Sequence, residues 1–184
     1  GRDALKLQDA GTDGYNTAIG YVAGANVTTG TLNTIVGGRA GDALTTGDSN
    51  VAIGYLALSA ETLGDRNVAV GLGALAAQNN TSDTDVYNTA IGYNAGAAVT
   101  TGVENTIIGG LAGDSLTTGS YNVAIGKSSL QAEDEHGRNV AIGYNTLATQ
   151  NAGADAYNVA IGHNAGTLVS TGVQNTILGS VAGD

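Results

Sequence analysis

A five-residue motif repeats along almost the whole chain and constrains what it can fold into. The motif reads Asn-(Thr/Val)-(Ala/Ile)-(Ile/Val/Leu)-Gly and recurs every 17 residues, with longer steps of 21 residues after Asn67 and 19 residues after Asn139. Repetition at a short fixed period indicates structural units that stack on one another. The ten copies begin at Asn16, Asn33, Asn50, Asn67, Asn88, Asn105, Asn122, Asn139, Asn158 and Asn175.

A second period lies above the first, because the copies fall into four types that recur in order. The first type reads NTAIGYVAGANVTTG from Asn16 and NTAIGYNAGAAVTTG from Asn88. Only the fourth type carries insertions, which explain the two longer steps. We therefore divide the chain into a truncated coil at 1–15 and a repeat array at 16–184, with super-repeats at 16–87, 88–157 and 158–184. We expect the array to be a segment of a longer one.

The motif predicts a β-strand. A 17-residue period is too short for helix-pair repeats, and a glycine in every copy disfavours a helix. The first and third residues after the asparagine share one strand face, and we expect both faces to be buried, with Ile53 and Ile125 in a dry core. The Thr-Thr-Gly segments, such as Thr28–Gly30, are expected to form a return strand and a second turn. The sequence therefore predicts an all-β parallel β-solenoid, or β-roll, of about ten 17-residue coils.

The first and last residues of the motif are predicted to be structural. Identical side chains form ladders when equivalent strands stack in register, so we expect the motif asparagines to form one. Glycine tolerates sharp bends at which a Cβ would clash, so the motif glycines are expected to mark the coil turns. These glycines are Gly20, Gly37, Gly54, Gly71, Gly92, Gly109, Gly126, Gly143, Gly162 and Gly179.

Composition argues against several kinds of site. The net charge of −10, with only six Lys and Arg residues, argues against a nucleic-acid partner, and no apolar run predicts membrane insertion. Cysteine is absent, and His136 and His163 lie in different coil types, so they are expected to be turn or surface residues. The acidic run Glu133–Glu135 is expected to be a solvated turn. We expect no catalytic residue, no metal and no cofactor, and hence no enzyme.

The insertions of the fourth coil type are candidate binding loops. Binding residues often lie on loops that a rigid scaffold holds, and coils of equal length stack without such loops. The partner would be a cell-surface glycan or a protein receptor. Four tyrosines that precede a motif asparagine, Tyr15, Tyr87, Tyr121 and Tyr157, are expected to seal the solenoid edge rather than to bind sugar. The candidate loop residues are Asn79, Asn80, Thr81, Ser82, Asp83, Asn151 and Asp155.

Narrow coils also predict self-association. A 17-residue coil encloses little volume, and a strand that is apolar on both faces would leave an apolar stripe along a monomer. Soluble monomers avoid continuous apolar stripes, so we expect copies of this chain to pack along the solenoid axis.

The motifs NTAIGY…TTG and NVAIGY…L resemble repeats of bacteriophage tail fibres and related bacterial surface proteins, over roughly Tyr15 to Asp184. The NVAIG unit is also similar to the head repeat of trimeric autotransporter adhesins, a trimeric left-handed parallel β-roll whose repeat is usually shorter. The resemblance implies a homotrimeric shaft in a virion tail fibre, or at an extracellular cell surface, that displays a receptor-binding tip for host attachment. The alternative is an adhesin head that binds matrix or glycans. A lesser alternative is an ice-binding β-solenoid, which would present stacked threonines.

Overall fold

The computed structural model describes residues 1–11 and 13–184, which form a β-solenoid of ten parallel strands and contain no helix. The strands stack in chain order, and each pairs with the same motif positions of its neighbour, as in Thr17↔Thr34 and Ala18↔Ile35. The predicted all-β parallel solenoid of about ten coils is confirmed. The strands are β1 (Thr17–Ile19), β2 (Thr34–Val36), β3 (Val51–Ile53), β4 (Val68–Val70), β5 (Thr89–Ile91), β6 (Thr106–Ile108), β7 (Val123–Ile125), β8 (Val140–Ile142), β9 (Val159–Ile161) and β10 (Thr176–Leu178).

Each strand ends after three residues because the motif glycine leaves the extended conformation. At Gly109 the φ angle is 135°, a value that side chains rarely permit. A Cβ at this position would lie 2.6 Å from the carbonyl carbon and oxygen of Gly126 in the next coil. The glycine therefore turns the chain and also allows adjacent coils to stack at this corner.

The middle residue of each strand points into the coil, where turn residues complete the core. In the coil of β6, Ile107, Ala112 and Leu116 are fully buried. Residues 11 places after the motif asparagine, such as Val27 and Leu116, fill the far side of the coil in the first two coil types.

The third coil type, which begins at Asn50 and Asn122, and the fourth, which begins at Asn67 and Asn139, fill the interior differently. A leucine eight places after the motif asparagine replaces the glycine of the other two types, and it is fully buried although its φ is left-handed. The left-handed backbone costs roughly 1–2 kcal/mol, which the burial of a leucine, worth about 1.5–3 kcal/mol, offsets. These leucines are Leu58, Leu75, Leu130 and Leu147.

Two details of the predicted coil are wrong. Ile53 and Ile125 lie on the outer face of the sheet, where Ile53 keeps 37% of its surface exposed and Ile125 is half-buried. One coil can close over only one face of its strand, so the face with the middle residue is inside. The segment Thr28–Gly30 forms bends rather than a return strand, although Thr28 N–H donates to the Thr45 carbonyl of the next coil at 2.9 Å.

The adjacent glycines Gly109 and Gly110 provide a matched test of the corner. We expect Gly109→Ala to lower the free energy of unfolding by about 1–3 kcal/mol, because the Cβ meets the next coil and the φ is unfavourable. Gly110→Ala should change it by less than about 0.5 kcal/mol, since the nearest atom to its Cβ would be 4.0 Å away. Denaturant unfolding measures both, and equal losses would contradict the steric role of Gly109.

Candidate functional site

The motif asparagines connect each coil to the next through side chain-to-main chain hydrogen bonds. The Oδ1 atom of Asn33 accepts the main-chain N–H of Asn50 at 2.8 Å, and its Nδ2 atom donates to the Gly47 carbonyl of its own coil at 2.8 Å. The same bond to Oδ1 joins every successive pair of motif asparagines from Asn16 to Asn175. The two longest of these bonds span the coils with insertions, at 3.3 Å to the N–H of Asn88 and 3.2 Å to that of Asn158. Amide-to-amide bonds occur as additions, for example Asn122 Nδ2 to Asn105 Oδ1 at 3.2 Å.

A second polar network, which the repeat pattern did not predict, lies inside the coils. Glu61 is fully buried, and its Oε1 accepts the N–H groups of Thr62 and Gly64 at 3.0 Å and 2.9 Å. Its Oε2 accepts from Gln78 Nε2 at 2.9 Å, and Gln78 Oε1 accepts from Asn88 Nδ2 at 2.9 Å. The signal was in the register: Glu61 and Gln78 occupy the position that holds Val or Leu in the first two coil types.

The corresponding carboxylate of the second super-repeat is also buried. The expectation of a solvated turn is wrong for Glu133, whose side chain is fully buried, whereas Asp134 is partly exposed and Glu135 is exposed. The Oε1 atom of Glu133 lies 3.6 Å from Nδ1 of His136, which is partly buried. Burial raises the pKa of the Glu133 carboxyl to about 6. A buried acidic group and a histidine therefore meet in this coil.

The candidate binding loops are mostly exposed and are attached to the coil beside them. Asn80 is the exception, because it is buried and donates its main-chain N–H and its amide to Glu61 Oε2 at 3.3 Å and 3.2 Å. Asp155 accepts from Arg138 Nε at 2.9 Å, and this hydrogen bond lowers the pKa of its carboxyl. Arg66 and Asp85 form the equivalent ion pair. The exposed candidates are Asn79, Thr81, Ser82, Asp83, Asn151 and Asp155.

The tyrosines that precede the motif asparagines are exposed rather than covered. Tyr15 is 72% exposed, and Tyr87, Tyr121 and Tyr157 are about half exposed, so the expectation that they seal the solenoid edge is wrong for the single chain. The guanidinium carbon of Arg138 lies 4.7 Å from the ring centroid of Tyr121 and 5.7 Å from that of Tyr157, within cation–π range. The edge beside the insertions thus carries interleaved tyrosine and arginine side chains.

The outer face of the sheet is a regular surface without charge. The first and third residues of the ten strands form it, and all of them are Thr, Val, Ile or Leu. None of these residues is buried, although several are partly covered by their neighbours. Its most exposed large members are Ile19, Ile53, Ile91, Ile161 and Leu178.

Comparison of the chain with protein-family models, curated proteins and solved structures finds no match. In residues 1–11 and 13–184 there is no helix long and apolar enough to cross a membrane.

Asn105 tests the ladder. We expect Asn105→Ala to lower the free energy of unfolding by roughly 2–4 kcal/mol, because it leaves the buried N–H of Asn122 and the carbonyl of Gly119 without their partner. Asn26→Ala is the control, since Asn26 is exposed and makes one bond, to the Asp42 carbonyl, so its loss should stay below about 1 kcal/mol. If chemical denaturation gives similar losses for Asn105→Ala and Asn26→Ala, the asparagine ladder contributes little to stability.

The first insertion tests the separation between loop and scaffold. Replacing Thr81–Asp85 with one glycine restores a 17-residue coil that ends like Thr100–Glu104. We expect a change in unfolding free energy below about 1 kcal/mol, because these residues are exposed and the Arg66–Asp85 pair is at the surface. Asn80→Ala should cost about 1–3 kcal/mol through lost bonds to Glu61. A larger loss of stability from the replacement of Thr81–Asp85 than from Asn80→Ala would contradict the separation between loop and scaffold.

Proposed function

We propose that the chain is a shaft segment of a homotrimeric fibre, which holds a receptor-binding tip away from a virion or cell. The observation that carries the proposal is the outer sheet face, an uncharged column of Thr, Val, Ile and Leu that runs through all ten strands. Such a surface on a soluble rod marks an interaction site. The proposed localisation is a bacteriophage tail fibre or an extracellular cell surface, and the task is mechanical rather than enzymatic.

A second copy of the same chain is the occupant that best fits this face. The face repeats once per coil, so a parallel copy presents apolar residues at the same spacing along its whole length. The absence of charged residues in the column avoids like-charge repulsion between identical chains, which matters for a protein of net charge −10. Closed cyclic symmetry would cover the face of each copy, and the similarity to trimeric fibre repeats favours three chains.

An adhesin head is the second candidate, and the exposed edge beside the insertions favours it. Tyr121 and Tyr157 flank Arg138, and stacked aromatic rings with a guanidinium can bind sugar faces and acidic groups. In a trimer each such edge would occur three times around the shaft, so weak contacts with a glycan or protein receptor would add through avidity. The ice-binding alternative has less support, because threonines such as Thr28 lie in bends, and on the sheet face valine replaces threonine at the first position of five of the ten strands.

Ile91→Asp tests the interface. The side chain is 39% exposed in the single chain, so the variant should keep its coil but place a charge in the proposed interface. We expect sedimentation equilibrium to show a trimer for the unmodified chain and an association weakened by at least about 2 kcal/mol per chain for the variant. Thr101→Asp, an exposed change away from the sheet face, should leave the trimer intact.

Two results would reject the assembly. A stable monomer of the unmodified chain at micromolar concentration would exclude the homotrimer. Equal weakening by the two substitutions would show that the sheet face is not the interface. If the segment forms the trimer and this trimer by itself binds host cells or glycans, the result favours the adhesin head over a shaft that makes no contacts of its own.

A further inference from the structure

Glu133 is a buried carboxylate that lacks the hydrogen-bond donors of its counterpart in the first super-repeat. Neither Oε1 nor Oε2 of Glu133 has a hydrogen-bond partner, although the side chain is fully buried. Glu61, at the same coil position, accepts bonds from three main-chain N–H groups that follow it and from Gln78. An unpaired buried carboxylate is costly, so Glu133 needs a cation or a proton that Glu61 does not need.

The turn that follows the carboxylate differs between the two super-repeats in sequence and in bonding. The main-chain N–H of Leu63 donates to Glu61 at 3.2 Å, whereas that of Glu135, at the same position, donates to Asp134 Oδ1 at 2.7 Å. The segment Glu61–Asn67 reads ETLGDRN, whereas Glu133–Asn139 reads EDEHGRN. His136 takes the place of Gly64 and so brings an imidazole to this position. The imidazole Nδ1 atom lies 3.6 Å from Glu133 Oε1, is buried, and has no hydrogen-bond partner either.

Asp134 adds a third donor atom to this group. One ligand atom each from Glu133, Asp134 and His136 lie within 4.8 Å of one another. The main-chain carbonyl of Asp134 accepts from the N–H and Oγ1 of Thr117 at 2.6 Å and 2.8 Å, which fixes the turn against the preceding coil. Because Asp134 and His136 are partly exposed, an ion could reach the buried carboxylate from solvent.

We infer that Glu133, Asp134 and His136 bind one divalent transition-metal ion of the zinc class. Two carboxylates would balance the charge of the ion, and an imidazole nitrogen selects zinc-like ions over Ca²⁺, which takes six to eight oxygen ligands. Ligands about 2.0–2.1 Å from a tetrahedral ion lie roughly 3.3 Å apart, so the Glu133–His136 pair is close to the required separation. A solvent molecule can complete the coordination.

The inference is independent of the proposed function and predicts one site per chain. The first super-repeat has Gly64 where the second has His136, and its Glu61 is already paired with protein donors. His163, the other histidine, stacks on Tyr144 with 5.3 Å between the ring centroids and lies outside this group.

Titration of the full chain with zinc chloride in chelator-treated buffer tests the site. We expect isothermal titration calorimetry to show one saturable ion per chain, and zinc to raise the melting temperature because it binds the folded state. His136→Gly restores the glycine of the sister coil, and Glu133→Gln removes the buried carboxylate. Both should weaken binding by at least about 10–100-fold, the loss that removal of even an outer-shell partner typically causes.

Controls separate this site from adventitious binding. His163→Gln should leave the affinity and the stoichiometry unchanged, and calcium chloride should give no comparable heat or melting shift. Without zinc, His136→Gly should keep the far-ultraviolet spectrum of the solenoid, which excludes loss of fold as the cause. The inference is overturned if the unmodified chain binds no zinc, if His136→Gly binds it equally well, or if His163→Gln abolishes binding.

Discussion

Close contact between adjacent coils at the motif glycine is the constraint on which the rest of the structure depends. A Cβ at Gly54 would lie 2.4 Å from the Gly71 carbonyl oxygen, and the same close approach recurs at most of the motif glycines. Only a chain without a side chain at this corner can bring successive strands within hydrogen-bonding distance. With the corner fixed, the preceding asparagine can bond both to its own coil and to the next, so glycine and asparagine together set the stacking of the solenoid.

The interior shows how one coil accommodates two kinds of core. Where a glycine stands eight places after the motif asparagine, an aliphatic residue such as Leu116 fills the far side. Where Leu58 occupies that position, the far side receives Glu61, whose carboxylate is satisfied by main-chain and amide donors. A buried polar group is tolerated when every acceptor has a donor, and Glu61 meets this condition whereas Glu133 does not.

The sequence was sufficient for the strands, their order and their register, because the motif is repeated without a break. It could not show which strand face lies inside, since both faces of a sequence such as VAI are apolar, and Ile53 was therefore placed wrongly. The acidic side chain of Glu133 suggested a solvated turn, although its position, 11 places after the motif asparagine, is that of the buried Val27 and Leu116. The meeting of Glu133 and His136 depends on how the turn folds back, which three-residue spacing alone does not reveal.

The strict chain order of the strands has a consequence for how the protein gains and loses structure. In the part of the chain that the structure describes, each strand touches only the strands before and after it, so no contact between strands joins distant coils. Folding can then begin in any pair of coils and proceed outward, with each added coil contributing its own small increment of free energy. A shaft of this kind can change its length by whole coils through duplication or loss, while the coils that remain keep every contact except those at the junction.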